Sequence, residues 1–249
     1  MIKNFGHRGF SGKYPENTML AFTKAIEAGC EGIEFDVHFT KDKELVIIHD
    51  ELLNRTTNGS GLVCSYTLAE LKGLDASAGF GGMYGKNEIP TLTEYFELVK
   101  NKNIITNIEL KTGIIPYEGI EAAVIEKIQE YNLVDRIIIS SFNHYSVMRA
   151  KEICPRIKCG FLEGSWIVDA AAYTKAHGIE CYHPLLYILN KEIMEEMRLA
   201  GLEVNTWTVN SDEEMMRMID FGVDAVMTNY PDKFASIREN LNVAVMANA

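Results

Sequence analysis

Short β-branched runs alternate with longer amphipathic stretches along almost the whole chain. The first run, residues 2–5, leads into Gly6-His7-Arg8-Gly9. An amphipathic helix follows, with Asn17 or Thr18 as its cap, Leu20, Phe22 and Ile26 on its apolar side, and Gly29 as its stop. A second run carries Glu34 and Asp36. Further runs at 104–110, 136–140, 157–161, 179–182, 203–209 and 224–227 read as strands. The stretches 92–100, 121–131, 144–153, 169–177, 191–200, 212–221 and 232–240 read as helices. Eight strands alternating with eight helices predict a parallel sheet, and 249 residues favour its closure into a TIM (β/α)8 barrel over an open doubly wound sheet. No GxGxxG turn or P-loop supports a nucleotide-binding alternative. Residues 50–90, rich in Gly and Thr, break the alternation. We expect a single domain over residues 1–249, with 50–90 as a small insertion over the barrel mouth after the second strand.

The most unusual stretch is EFDVHFTKDKELVIIH, from Glu34 to His49. Side chains alternate across a strand, so Glu34 and Asp36 point one way while Ile33, Phe35 and Val37 point the other. A solvated strand face would account for one carboxylate or two, but not for the histidine that closes the apolar run 45–48. Chemistry in such barrels sits at the carboxyl ends of the strands. His7, Glu34, Asp36, His49, Glu109, Lys111 and Trp207 all fall at those ends, where chance would scatter them over both.

Bulk properties narrow the partners. The formal charge of −11 excludes nucleic acid as a main partner, because phosphate backbones draw basic surfaces. It leaves room for a small anion in a locally positive pocket. Five cysteines without a CxxC pair fit a reducing compartment. The N-terminus has no charged and apolar leader pattern, and no apolar run approaches the ~20 residues of a membrane helix. These features predict a cytoplasmic location and no stable membrane insertion, and they leave a homodimer open.

Three carboxylates at one mouth repel one another unless a cation joins them. Glu34, Asp36 and Glu109 offer only oxygen, which suits one hard divalent ion, Mg²⁺ or Ca²⁺, rather than zinc. Arg8 and Lys111 can reach an anion. With a phosphodiester bound, the three carboxylates and the diester carry −4 against +4 from the ion, Arg8 and Lys111. His7 and His49 supply an acid and a base, which diester cleavage needs for the attacking and leaving oxygens. Lys111 also has the plainer option of pairing with Glu109, and Trp207 is either barrel packing or a wall for the substrate. His38, His144 and His177 read as surface or packing residues, His183 as a weaker site candidate, and Met215, Met216 and Met218 as packing.

The same residues resemble the glycerophosphodiester phosphodiesterases. The matching motifs are His7-Arg8-Gly9, Pro15-Glu16-Asn17-Thr18, Glu34-Phe35-Asp36-Val37, Thr40, Val46, His49-Asp50, Glu109-Leu110-Lys111, Trp207-Thr208-Val209-Asn210 and Thr228-Asn229-Tyr230-Pro231-Asp232. They follow the family's order over nearly the whole chain; Asn229 departs from it, since the family usually has Asp there. The resemblance implies a TIM barrel with an insertion after the second strand, and hydrolysis of deacylated phospholipids to glycerol 3-phosphate and an alcohol. It implies Glu34, Asp36 and Glu109 as metal ligands, His7 and His49 as the acid/base pair, Arg8 and Lys111 as phosphate contacts, and Glu16 and Asn17 as braces of the first loop. Two alternatives stand beside it. A lysophospholipase D would need an apolar groove near the mouth, for which the insertion offers Leu62, Leu74, Phe80 and Met83. A non-catalytic binder of glycerophosphodiesters should have lost a histidine or an acid, and this chain has lost none.

Overall fold

The computed structural model describes residues 2–247. In chain order its strands and helices are β1 (Lys3–His7), α1 (Met19–Glu27), β2 (Gly32–Phe39), β3 (Leu45–Ile47), α2 (Leu68–Lys72), α3 (Leu92–Val99) and β4 (Ile105–Leu110). They continue with α4 (Ile120–Glu130), β5 (Ile137–Ser141), α5 (His144–Ile153), β6 (Lys158–Glu163), α6 (Ala170–Ala176) and β7 (Cys181–Pro184). The last are α7 (Lys191–Ala200), β8 (Glu203–Thr206), α8 (Asp212–Phe221), β9 (Ala225–Thr228) and α9 (Pro231–Ala247). Parallel pairing runs β1-β9-β8-β7-β6-β5-β4-β2, and β2 returns to β1, so the sheet closes into the expected eight-stranded barrel. The short β3 lies outside it, antiparallel to β2, with Val37 opposite Ile47. The apolar run before His49 is therefore a hairpin arm and not a barrel strand.

Helix boundaries follow local chemistry. Thr18, not Asn17, caps α1: its Oγ1 accepts from Ala21 N–H at 3.2 Å. Thr91 with Glu94 and Ser211 with Glu214 form capping boxes at the starts of α3 and α8. Gly201 and Gly222 end α7 and α8 in the left-handed conformation that costs glycine least. Two strands sit differently from the periodicity. Ile179 N–H is taken by Thr174 O at the end of α6, so β7 starts at Cys181 and carries His183 and Pro184 into the ladder. The 203–209 run stops pairing regularly at Thr206, after which Trp207 bridges Leu185.

Apolar side chains fill the layer between barrel and helices, with Phe22, Phe35, Tyr95 and Phe96 among the largest that are fully buried. A smaller cluster of Phe5, Ile138, Cys181, Ala225 and Met227 forms a separate packing unit, against which Trp207 packs. Residues beyond β3 gather round a cluster of their own, including Val46, Ile48, Leu53, Val63, Leu71 and Ile89.

His183 lies wholly buried, its Nε2 3.0 Å from the Asn205 amide, and Gly160 makes room for it: a Cβ there would fall 2.5 Å from the ring. This histidine is a buried packing residue and not the site candidate its sequence position suggested. Burial pushes its imidazole down to about 3, below the ordinary value of 6.5. The unfolded chain therefore takes up a proton that the folded chain refuses, and stability falls as pH drops from about 6.5 towards 3. Between pH 7.5 and 5 the loss is about 2 kcal/mol. In His183→Asn, unfolding free energies from urea titrations at the two pH values should converge by that amount. An unchanged pH dependence would show that the ring accepts its proton in place.

Candidate active site

The barrel register builds the acidic cluster. Side chains two apart on β2 share a face, so Glu34 and Asp36 point together, and Asp36 lies beside Glu109 on β4. One oxygen from each of Glu34, Asp36 and Glu109 falls within 4.8 Å of the others, and all three residues are buried. Burial, together with the charges of Asp36 and Glu109, raises Glu34 well above the usual carboxylate range; burial and Asp36 push Glu109 up to about 7. Asp36 stays at about 2 despite its burial, because Arg8, His49 and Lys111 face it and Asn17 Nδ2 donates to its Oδ2 at 2.9 Å. Its other oxygen, Oδ1, has no hydrogen-bond partner. A buried orphan oxygen amid mutually repelling carboxylates matches what a hard cation requires of its donors.

The first loop is held in an unusual backbone. Arg8 and Asn17 both adopt left-handed φ, 54° and 55°, a conformation with a cost for residues that carry a Cβ. The turn leaves no choice at Gly9, whose φ is 78° and where a Cβ would meet Ala21 at 2.7 Å. It points Arg8 N–H at Glu34, which accepts through its carbonyl at 2.8 Å and its Oε2 at 3.1 Å. The Arg8 guanidinium reaches Glu16 Oε1 at 2.9 Å and Asp36 Oδ2 at 3.6 Å.

Two histidines flank the cluster. His7 Nδ1 is 2.7 Å from Asn229 Oδ1, so this nitrogen carries the proton and Nε2 faces Glu34 Oε2 at 3.9 Å. Burial, with Arg8 next, pushes its imidazole down to about 4, which keeps the ring neutral at physiological pH. His49 follows β3 and donates from Nδ1 to Asp50 Oδ1 at 2.6 Å; its Nε2 is 3.4 Å from Lys111 Nζ and 4.0 Å from Asp36 Oδ1. Lys111 also binds Glu109 Oε1 at 2.9 Å and lies 3.8 Å from Asp36 Oδ1. Each histidine thus turns its Nε2 towards the acids, His7 towards Glu34 and His49 towards Asp36. Either ring can take a proton from a bound molecule, and once charged can give one back.

All the expected residues except Trp207 are joined by these contacts. Trp207, half-buried, donates from Nε1 to His183 O at 2.9 Å and meets Phe142 edge to face at 5.5 Å. Three partners lacked a role in the sequence: Asp50, Asn229 and Arg55. Arg55 gives no periodic signal, since it sits in an irregular segment and meets Glu16 from 39 residues away. Asn17 does more than brace its loop, because releasing the cap to Thr18 frees its amide for Asp36. His38 is fully buried and not on the surface; its ring meets Tyr117 Oη at 2.9 Å and His49 O at 3.1 Å. His144 stacks on Phe161 at 4.0 Å, whereas His177 is exposed.

Known proteins resemble this chain in sequence and in fold. The sequence model of the Glycerophosphoryl diester phosphodiesterase family matches residues 7–233. A glycerophosphodiester phosphodiesterase of Caldanaerobacter subterraneus subsp. tengcongensis is 45% identical over 93% of this chain and 95% of its own. One from Bacillus altitudinis is 42% identical over 97% of this chain and all of its own. An Oleispira antarctica phosphodiesterase, solved in complex with the product sn-glycerol-3-phosphate, superposes with a TM-score of 0.86 at 33% identity, over 94% of this chain and 96% of that one. With a barrel of this form and a match spanning nearly its whole length, the chain belongs to the glycerophosphoryl diester phosphodiesterase family.

Proposed function

We propose that this glycerophosphodiester phosphodiesterase cleaves its diesters with one divalent cation and a pair of histidines, releasing glycerol 3-phosphate and an alcohol. One observation carries this: a buried triad of oxygen ligands flanked by two imidazoles whose Nε2 atoms stand 3.9 and 4.0 Å from it. Glu34, Asp36 and Glu109 would hold the ion, Mg²⁺ or Ca²⁺ by donor type, and when bound it would supply charge neutralisation and polarisation of a phosphoryl oxygen. Arg8 and Lys111, now paired with the acids, turn to the anionic diester when it enters. His7 and His49 move the protons. Trp207 with Phe142 walls the mouth.

The nucleophile is the substrate's own vicinal hydroxyl. Ser11 Oγ contacts Asn229 Oδ1 at 3.0 Å, on the Nδ1 side of His7, so it does not face the acids. The glycerol hydroxyl is already tethered next to phosphorus, which avoids the entropy of capturing a free water. One histidine takes its proton as the oxygen–phosphorus bond forms, and the other protonates the departing alkoxide. A cyclic 1,2-phosphate results, and water opens it with the roles reversed.

A monoacylated substrate, as for a lysophospholipase D, is favoured by one feature. Apolar surface is exposed on the insertion at Leu62, Phe80 and Met83, while Leu74 packs against the insertion's own cluster. It is exposed again on successive loops after β4, β5, β6 and β7 at Ile114, Phe142, Trp166, Val168 and Tyr187, Val168 to 87%. Among the described residues no helix is long and apolar enough to cross a membrane.

One assay tests these points together: glycerol 3-phosphate, or its analogue, released from a glycerol diester, its monoacyl form and the matching 1,3-propanediol diester. The glycerol diester should turn over. The propanediol diester should bind but react slower by orders of magnitude; equal rates would mean that water attacks directly. A monoacyl diester left uncleaved would remove the lipid-like substrate.

A further inference from the structure

We propose that Arg55 is a positioning residue that sets His49 and Arg8 at the same time. Its guanidinium brackets two carboxylates. Nε and Nη2 donate to Asp50 Oδ2 and Oδ1 at 2.7 and 2.9 Å, while Nη1 and Nη2 donate to Glu16 Oε2 and Oε1 at 2.8 Å each. Each carboxylate has one further task. Asp50 Oδ1 accepts His49 Nδ1–H at 2.6 Å, and Glu16 Oε1 accepts Arg8 Nη1–H at 2.9 Å. A continuous chain, His49–Asp50–Arg55–Glu16–Arg8, therefore ends at Asp36, which Arg8 Nε approaches at 3.6 Å and His49 Nε2 at 4.0 Å. It closes a ring of contacts at the barrel mouth in which Asp50, Glu16 and Asp36 are each separated by Arg55, Arg8 or the His49 ring.

The Arg55 side chain is 46% exposed, where a single ion pair contributes little and only a bidentate network such as this one adds to stability. What the geometry does supply is orientation. A planar fork that meets two carboxylates edge-on fixes the plane of each, and a lysine, donating from a point, cannot. With Asp50 locked, the His49 ring is held by Nδ1 so that Nε2 stays turned towards Asp36. With Glu16 locked, Arg8 is restrained beside Asp36. Removing Arg55 leaves Asp50 held only by His49 and Glu16 only by Arg8, each free to turn about that single contact.

The inference rests on the acid–base role given to His49, and its test is kept apart from that role. Steady-state kinetics on a glycerol diester would be paired with calorimetry of Mg²⁺ for Arg55→Ala, Arg55→Lys, Asp50→Asn and Glu16→Gln. Arg55→Ala and Arg55→Lys should each lose about 10–100-fold in kcat, the scale seen when a partner behind a catalytic or ligating group is lost, with Mg²⁺ affinity held within about threefold. Millimolar guanidinium should restore part of the Arg55→Ala loss. In an Asp50→Asn background, Arg55→Ala should cost no further kcat, and Glu16→Gln should raise KM through Arg8. Wild-type kcat and KM in Arg55→Ala would overturn the proposal. So would losses that multiply independently in the double variants without guanidinium rescue, for then Arg55 only supports the fold. Should Arg55→Ala not fold, Asp50→Asn and Glu16→Gln each remove one arm, and unaltered kinetics in both would overturn it too. His49→Ala at wild-type turnover would instead remove the acid–base role, a result separable from rescue of Arg55→Ala.

Discussion

Chelation is expected to abolish turnover of glycerophosphodiesters, and Mg²⁺ or Ca²⁺ to restore it. The expectation comes from the electrostatics of the triad. Glu34, Asp36 and Glu109 sit buried with ligand oxygens within 4.8 Å, and two of the three are driven up in pKa by burial and by one another. Lys111 and Arg8 partly compensate, at 2.9 and 3.6 Å. They leave Asp36 Oδ1 without a hydrogen bond. A divalent cation would satisfy that atom and quench the repulsion in one step. Glu109→Gln keeps the shape and removes one charge, so calorimetry should show Mg²⁺ binding weakened by more than the ~10–100-fold typical of partners outside the ligand set. Activity that survives exhaustive chelation would sink the metal assignment.

Replacing either histidine by alanine should lower kcat by about 10²-fold or more, the scale of general acid–base catalysis, while leaving Mg²⁺ affinity nearly unchanged. The second half of this expectation is the discriminating one. Both Nε2 atoms stand close to a ligand carboxylate, His7 at 3.9 Å from Glu34 and His49 at 4.0 Å from Asp36, so a rival role as metal ligands is geometrically near at hand. The acid–base assignment predicts that calorimetry of His7→Ala and His49→Ala matches the unmodified protein. Lost Mg²⁺ binding in His49→Ala would mean that its imidazole is a ligand, and the proton would need another carrier. His7, kept neutral by burial, is suited to accept a proton first. His49, paired with Asp50, can hold one once it is charged.

Much of this molecule is legible in one dimension because its signals are local. The alternation of apolar runs and amphipathic stretches reports the barrel, since each strand buries both faces and each helix one. Glu34 and Asp36 share a face by strand geometry alone. Polar residues at strand ends point to the mouth, because parallel strands all end there. Three things were decided only in space. The ladder between β2 and β4 places Glu109 beside Asp36 from 73 positions away, and no pattern along the chain encodes that register. The antiparallel turn of β3 brings His49 back to Asp36, although its apolar run looks like any buried strand. Arg55 reaches Glu16 and Asp50 from an irregular segment, where neither period nor cap announces a contact. His183 shows the converse: its place at a strand end suggested the site, and tight packing over Gly160 put it in the buried interior. Sequence determines which faces are buried, because burial follows local periodicity. Tertiary structure decides which polar atoms meet, because hydrogen bonds and ion pairs depend on distances of a few tenths of an ångström that only the closed barrel sets.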